Sequence, residues 1–253
     1  MSAQVFKPSA NSIAQVAMLS IAIGVPTVWL SIAGLSRSPA NTKVDVPLNQ
    51  PVPFSHQHHA WELGIDCRYC HTSVEKSSYA GLPSTETCMS CHSQIWTNSP
   101  LLEPVRRSYE TGTPIKWNLV NKVPQFVHFN HSIHINRGIN CDVCHGAVQY
   151  MQITFKGNSF QMAWCLQCHR APERYVYKDE TAPATEAPRN QVFNLYWKFQ
   201  EKGMSNLSDR EKEILHGDYG GSDDAQDKTK GKELVSKYGI HVAQLADCSV
   251  CHY

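Results

Sequence analysis

Phe129-Asn130-His131-Ser132-Ile133-His134, followed after a short connector by Gly138-Ile139-Asn140-Cys141-Asp142-Val143-Cys144-His145, is one of two copies of a single pattern in this chain. The other copy is Phe54-Ser55-His56-Gln57-His58-His59 leading to Gly64-Ile65-Asp66-Cys67-Arg68-Tyr69-Cys70-His71. Each copy runs on through a variable loop to a second Cys-x-x-Cys-His, at Cys88-Met89-Ser90-Cys91-His92 and at Cys165-Leu166-Gln167-Cys168-His169. A fifth motif, Cys248-Ser249-Val250-Cys251-His252, lies far downstream without a partner, and the five together use all 10 cysteines.

The spacing has a chemical reason. Two thiols three residues apart on one helical turn add across the two vinyl groups of a haem, and the adjacent imidazole becomes the proximal ligand of the iron. Zinc knuckles also use Cys-x-x-Cys pairs, and a disulfide framework uses even cysteine counts. Neither needs a His directly after every second Cys. The cofactor expectation is therefore five covalent haems c, with His71, His92, His145, His169 and His252 as proximal ligands.

The duplicated unit also points to the second axial ligands. Each two-haem module has two upstream His at i and i+3, neighbours on a helical turn, and two irons that lack a second imidazole. His56, His59, His131 and His134 are thus the expected distal ligands, with the assignment of each to an iron left open. Of the 13 histidines, His58, His128, His216 and His241 remain. His58, His128 and His216 read as bystanders. Met151, Met162 and His241 are the candidates for the one sixth ligand still unnamed, a Met there giving a site of higher potential, with another ligand or an open site as the alternative.

Composition bounds the rest. The 253 residues carry 23 Lys and Arg against 22 Asp and Glu, a formal net charge of +1, with no basic run to suit a nucleic acid. Haem propionates would turn the holoprotein acidic. Hydrophobic residues make up 42%, slightly low for a chain building its own core, so the porphyrins are expected to supply much of it. Trp61, Trp96, Trp117 and Trp164 near the motifs suit porphyrin walls. The expected fold is a class III-like multihaem cytochrome, mostly irregular with short helices and almost no sheet.

From Ile13 to Leu35 there is no charged residue. That length spans a bilayer as one helix, and it exceeds the apolar region of a usual signal peptide. The expectation is a retained single-pass anchor with the haem domain on the extracytoplasmic side, where haem is attached. Pro26 inside it is tolerable if the Thr27 hydroxyl meets the freed carbonyl. The organisation reads as a tail (1–12), anchor (13–35), linker (36–52), first module (53–96), connector (97–126), second module (127–172), helical insertion or docking segment (173–247) and fifth motif (248–253). Within the insertion, Gln191 to Lys202 has helical periodicity, Ser208 to Glu211 is a capping box, Gly220 to Lys230 reads as a polar loop, and Gly231 to Tyr238 as a short helix.

The Phe-x-His-x-x-His arrangement resembles that of the cytochrome c3 and c7 class. The anchor, the two modules, Gly81-Leu-Pro-Ser-Thr-Glu-Thr-Cys88, the Met162-Ala-Trp-Cys165-Leu-Gln-Cys-His169-Arg170 box and the final Cys-x-x-Cys-His-Tyr253 together resemble the membrane-anchored pentahaem (ActA) family of bacterial alternative complex III. That resemblance covers most of residues 50 to 175. It implies an electron-relay subunit, not an enzyme on its own, in a quinol-oxidising respiratory or photosynthetic complex. Its implied partners are an iron–sulfur subunit, membrane subunits, and a downstream cytochrome c, other carrier or terminal oxidase. Two other readings stand beside it: a multihaem reductase with one open iron, and a self-sufficient membrane-anchored quinol dehydrogenase. The proline-bounded stretch from Pro39 to Pro53 argues for a tethered domain fed by a partner.

Overall fold

The computed structural model describes residues 6–7, 9–217 and 220–252; most of the expected tail and the final Tyr253 lie outside the described residues. The chain divides into two units, residues 1–43 and 44–253.

In the first unit, helix α1 runs from Ser9 to Arg37 and α2 from Pro39 to Thr42. At 1.5 Å per residue α1 is about 43 Å long, more than the roughly 30 Å hydrocarbon core. It is the one helix among the described residues long and apolar enough to cross a membrane, a property that an anchor and a signal sequence share. The Thr27 hydroxyl donates to the Ile23 carbonyl at 2.7 Å. It therefore serves its own i−4 carbonyl, not that of Ala22, which Pro26 leaves without its helical donor.

The second unit has no strand ladder among its described residues, only single bridges between Val44 and Lys156 and between Val127 and His252. Short helices carry the cysteine motifs: α3 (Cys67–Cys70), α4 (Thr85–His92), α7 (Cys141–His145), α8 (Met162–Arg170) and α12 (Cys248–Cys251). An Asx cap starts α3 and α7. Asp66 accepts from Arg68 N and Asn140 from Asp142 N, which explains the Asx before Cys in both copies. Helix α5 (Glu103–Thr111) lies in the connector and α6 (His131–Asn136) carries the upstream His of the second module. In the first module the equivalent segment is a wider π-helical turn, Gln57–Glu62.

Helices α9 (Pro188–Lys202), α10 (Asp209–His216) and α11 (Ala225–Lys237) build a protein core of their own. Val176, Tyr177, Leu195, Ile214 and Leu215 are all but inaccessible to solvent and pack with Ile139, Leu207, Leu234 and Tyr238. The apolar stripe of α9 thus faces inward. The capping box on α10 is complete, with Ser208 and Glu211 bonded reciprocally. The expected polar loop from Gly220 to Lys230 is corrected: helix begins at Ala225, because the Asp224 carboxylate accepts from the amides of Gln226 and Asp227. An N-cap of this quality lets the Lys-rich first turns join the helix expected only from Gly231.

A buried ion cluster ties α9 to α10. Lys198 Nζ lies 2.6 Å from Glu211 Oε1 and 3.4 Å from Asp179 Oδ1, and Tyr177 donates to Glu211 at 2.8 Å. Burial alone would raise both carboxyls. Hydrogen bonds from Thr181 and Lys198 to Asp179, and from Lys198, Ser208 and Tyr177 to Glu211, outweigh it and hold both below their usual range. Their stabilisation is therefore present above the ordinary carboxylate values of about 4 and is lost as pH falls below them. Lys198→Ala leaves two carboxylates under cover without their cation, at an expected cost of about 3 kcal/mol. Thermal melts of the matured protein at neutral pH check this, and the deficit should shrink in acid.

Candidate haem sites

The two upstream His of each module are brought against the two motif His of the same module. The ring centroids of His56 and His71 are 6.5 Å apart with planes 7° from parallel. For His131 and His145 the values are 6.2 Å and 3°. His134 and His169 are 6.2 Å apart at 24°, and His59 and His92 are 6.2 Å apart at 65°. Two imidazole–metal bonds of about 2 Å, plus roughly 1.1 Å from each ring nitrogen to its centroid, give about 6.2 Å across one iron. The four gaps therefore fit a bis-imidazole iron.

In seven of these eight rings the other nitrogen is spoken for. Nδ1 of His59 faces the Ser55 carbonyl at 2.8 Å, His71 that of Gly81 at 2.7 Å, and His92 that of Ile95 at 3.1 Å. His131 faces Ser78 O at 2.8 Å, His134 faces Asn130 O at 2.7 Å, and His169 faces Leu245 O at 2.9 Å. A carbonyl only accepts, so Nδ1 carries the proton and Nε2 keeps its lone pair for a metal. His56 Nδ1 pairs with the Thr154 hydroxyl at 3.0 Å. Burial, followed by neighbouring imidazoles, holds His56 and His145 down to about 4, so both are neutral at physiological pH.

The phenylalanine of the repeat has a geometric role that the sequence signal left unread. Phe54 stacks on His59 at 4.4 Å and meets His56 edge-on at 5.0 Å. Phe129 does the same to His134 at 4.9 Å and His131 at 4.7 Å. One ring thus sets the orientation of both imidazoles in each module. Thr154, Gly81, Ser78 and Leu245 also escape a sequence reading, since three of them act through backbone carbonyls, which carry no side-chain signature.

Exposure separates the histidines. The five motif His and the two repeat-position His of each module are half-buried, whereas His58, His128, His216 and His241 are exposed. His58 is taken up by Glu62 at 2.9 Å and by the face of Trp96. At the fifth motif, the ring facing His252 is Phe126, 5.7 Å away, and no second imidazole faces it among the described residues. Met151 is buried with its methyl group near Gly146, Met162 opens α8 and is exposed, and His241 precedes a short turn at Val242–Gln244.

The thiols suit the same purpose. Burial pushes Cys141 and Cys168 up to about 12 and raises Cys67 and Cys144 well above the usual thiol range. These four are not thiolates poised for redox exchange, and none of the ten cysteines is paired in a disulfide. Beside Cys67 an apolar cleft is lined by Trp61, Phe193, Tyr196 and Phe199, with Trp61 stacked on Phe199. Trp164 packs edge-on to Phe160 at 5.3 Å.

Asp142, inside the third motif, is fully buried with both carboxylate oxygens lacking a hydrogen-bond partner. Burial drives its pKa well up, against smaller opposing contributions from Tyr196 and Gln149. A folded carboxyl held protonated while the unfolded one ionises near 4 destabilises the fold increasingly as pH rises above that value. Asp142→Asn should therefore melt higher than the parent at pH 8, with the difference closing towards pH 4.

Paired imidazoles at iron-spanning distance beside helical Cys-x-x-Cys turns define a multihaem cytochrome c, a haem-binding electron-transport protein. The class III cytochrome c family matches residues 33–100, and the family of cytochrome c7 and related cytochromes c matches residues 127–188. The chain is thus built from class III cytochrome c modules of the c3/c7 kind. It is similar to a protein of Nitratidesulfovibrio vulgaris named menaquinone reductase, multihaem cytochrome c subunit, with 37% identity over 97 residues. That match covers 38% of this chain and 45% of the relative, less than half of either.

Proposed function

We propose that the chain holds five covalent haems c and relays electrons, one at a time, within a membrane-bound complex that exchanges them with a quinone pool. The observation carrying this reading is the set of four imidazole pairs, each spaced for one iron. In this assignment His56 and His71 hold the first iron, His59 and His92 the second, His131 and His145 the third, and His134 and His169 the fourth. His252 is the proximal ligand of the fifth. The bound haem supplies a one-electron couple at its iron. The chain's part is to fix the tautomer and plane of each imidazole, to fill both axial positions at four sites, and to keep water from them. Saturated irons of this kind shuttle electrons and leave no position for a substrate.

The name of the N. vulgaris relative supports a quinone-linked complex, as does the resemblance to the pentahaem subunit of alternative complex III. The first is named for reduction of menaquinone and the second is a quinol-oxidising assembly, so the direction of flow in this chain is set by its partners. The partners we infer are an iron–sulfur subunit and membrane subunits on one side and a downstream cytochrome or other carrier on the other. Residues 13–35 act as a retained bilayer anchor, with the haem domain outside the cytoplasm.

One observation keeps a second reading in view: His252 faces a phenylalanine ring where the other four motif His face an imidazole. An open fifth iron would suit a reductase of small nitrogen oxides. Mass spectrometry of the matured protein, together with low-temperature EPR, tests both readings. Five attached haems with at least four bis-imidazole low-spin signals are expected. A haem count below five, or a dominant high-spin signal that shifts with nitrite or cyanide, would overturn the relay reading.

A further inference from the structure

Seven of the eight paired imidazoles are steered by a hydrogen bond to their second ring nitrogen, and His145 is the exception. Among the described residues no hydrogen bond reaches its ring, yet that ring stands closer to parallel with its partner than any other, 3° from His131. An axial imidazole is ordinarily oriented by the bond its outer nitrogen makes, so this one needs a different restraint. The segment from Lys156 to Phe160 supplies it.

Helix α7 ends at His145, and the last carbonyls of a helix find no partner within it. The Asn158 side-chain amide meets two of them, donating to Val143 O at 3.2 Å and to Cys144 O at 3.0 Å. Gly157 lies against the peptide that joins His145 to Gly146. A methyl group in place of its hydrogen would overlap the His145 carbonyl and stand 2.7 Å from Gly146 N. Gly217, just past α10, packs on the next peptide in the same way, since a methyl group there would fall 2.6 Å from the Gly146 carbonyl carbon. The backbone leaving His145 is thus held by two glycines from two different segments.

The ring itself meets Phe160 edge-on, with centroids 6.1 Å apart and planes at 79°. Phe160 is fixed in turn by Trp164 at 5.3 Å and by Lys156, whose Nζ lies 5.1 Å from its centroid. Its φ of 53° falls in the left-handed region, where a bulky residue stays only if its surroundings hold it. The base of the loop is pinned as well, because Asp45 N donates to Lys156 O at 2.9 Å.

We propose that Asn158 is the positioning residue of the third site: by closing the end of α7 it sets the plane of His145, with Gly157 and Phe160 as the walls of the same clamp. This rests on the reading that His131 and His145 share one iron. Asn158 bonds to the carbonyls of Val143 and Cys144, so it acts through the helix and not on the metal. The consequence is electronic. Parallel axial imidazoles both raise the same iron d orbital and split it from its neighbour, whereas a turned ring narrows that split and raises the largest g value of the ferric haem.

The test compares Asn158→Asp with the parent in the full-length matured protein. Aspartate keeps the shape of asparagine but has no donor for the two carbonyls. The third site's low-spin EPR signal is first identified as the one that His131→Ala removes. In Asn158→Asp that signal should move to a larger highest g value, while the other bis-imidazole signals stay where they are. If Asn158→Asp fails to mature, Phe160→Leu, which keeps the bulk and removes the ring edge, should move the same signal. A third-site signal at its parental g values, even in a protein that melts lower, would overturn the proposal, as would an equal displacement of every signal. Failure of the underlying reading looks different: His131→Ala would then leave all the low-spin signals in place.

Discussion

Removing the His131 imidazole will take one iron of the matured protein out of the low-spin state. The ring stands 6.2 Å from His145 and almost parallel to it, with its Nδ1 proton given to Ser78 O. It also opens helix α6, where the Asn130 cap holds the backbone. No flexible neighbour stands ready to replace it, because Phe129 fills the adjoining edge and His134 is committed 6.2 Å from His169. His131→Ala should therefore cut the low-spin EPR intensity by about one fifth to one quarter and add a high-spin species that binds cyanide. Exposed histidines provide the control, since His58→Ala and His216→Ala should leave every haem spectrum as it was. An unchanged spectrum in His131→Ala would end the ligand assignment for the second module.

Blocking haem attachment will have the largest effect on the fold, and it will act unevenly along the chain. In the stretch 53–136 the buried hydrophobic residues are Val74, Val105 and Ile135, while Leu63, Tyr79, Leu82, Ile95, Trp96 and Ile133 are exposed. Those side chains need porphyrin faces to cover them, because ordering the segment costs about 1–2 kcal/mol per residue in backbone entropy. Residues 175–240 are different, with Val176, Tyr177, Leu195, Ile214 and Leu215 already packed together. With all ten cysteines changed to alanine, hydrogen exchange over 53–136 should become as fast as in an unfolded chain, and cooperative thermal unfolding of that half should vanish. Protection in α9 and α10 should be the last to go. Uniform protection across both halves would show that the haems contribute little to the fold.

These two cases mark how far the sequence could be read. The five motifs, the duplicated Phe-x-His-x-x-His and the apolar helix are local patterns whose chemistry depends on residues a few positions apart. The irregular, nearly sheet-free fold follows from them, as do the class III modules. Which imidazole faces which is a tertiary property. His59 and His92 lie 33 positions apart in the chain, and only the path of the loop from Val74 to Glu86 brings them together. Helix α11 starts six residues before Gly231 for a local reason: Asp224 caps it, and the polar run 225–230 carries no apolar periodicity to show it. The inward turn of the α9 stripe could not be decided from periodicity, which gives a face and not its neighbour. What faces His252 is likewise a tertiary property, since Phe126 lies 126 positions away in the chain.

The exchange of hydrogen-bond partners between the modules has a bearing on how the protein is made. His56 completes its outer bond only on Thr154, and His131 only on Ser78. As the chain is synthesised, the first module is complete in sequence at residue 92, yet the His56 ring has no partner until Thr154, some sixty residues later, has followed. The early half therefore waits, loosely held, for the later half to lock it. A single module of this pattern has neither partner within its own chain, so the two halves depend on each other. Neither half should now survive being expressed alone with its ligand geometry intact.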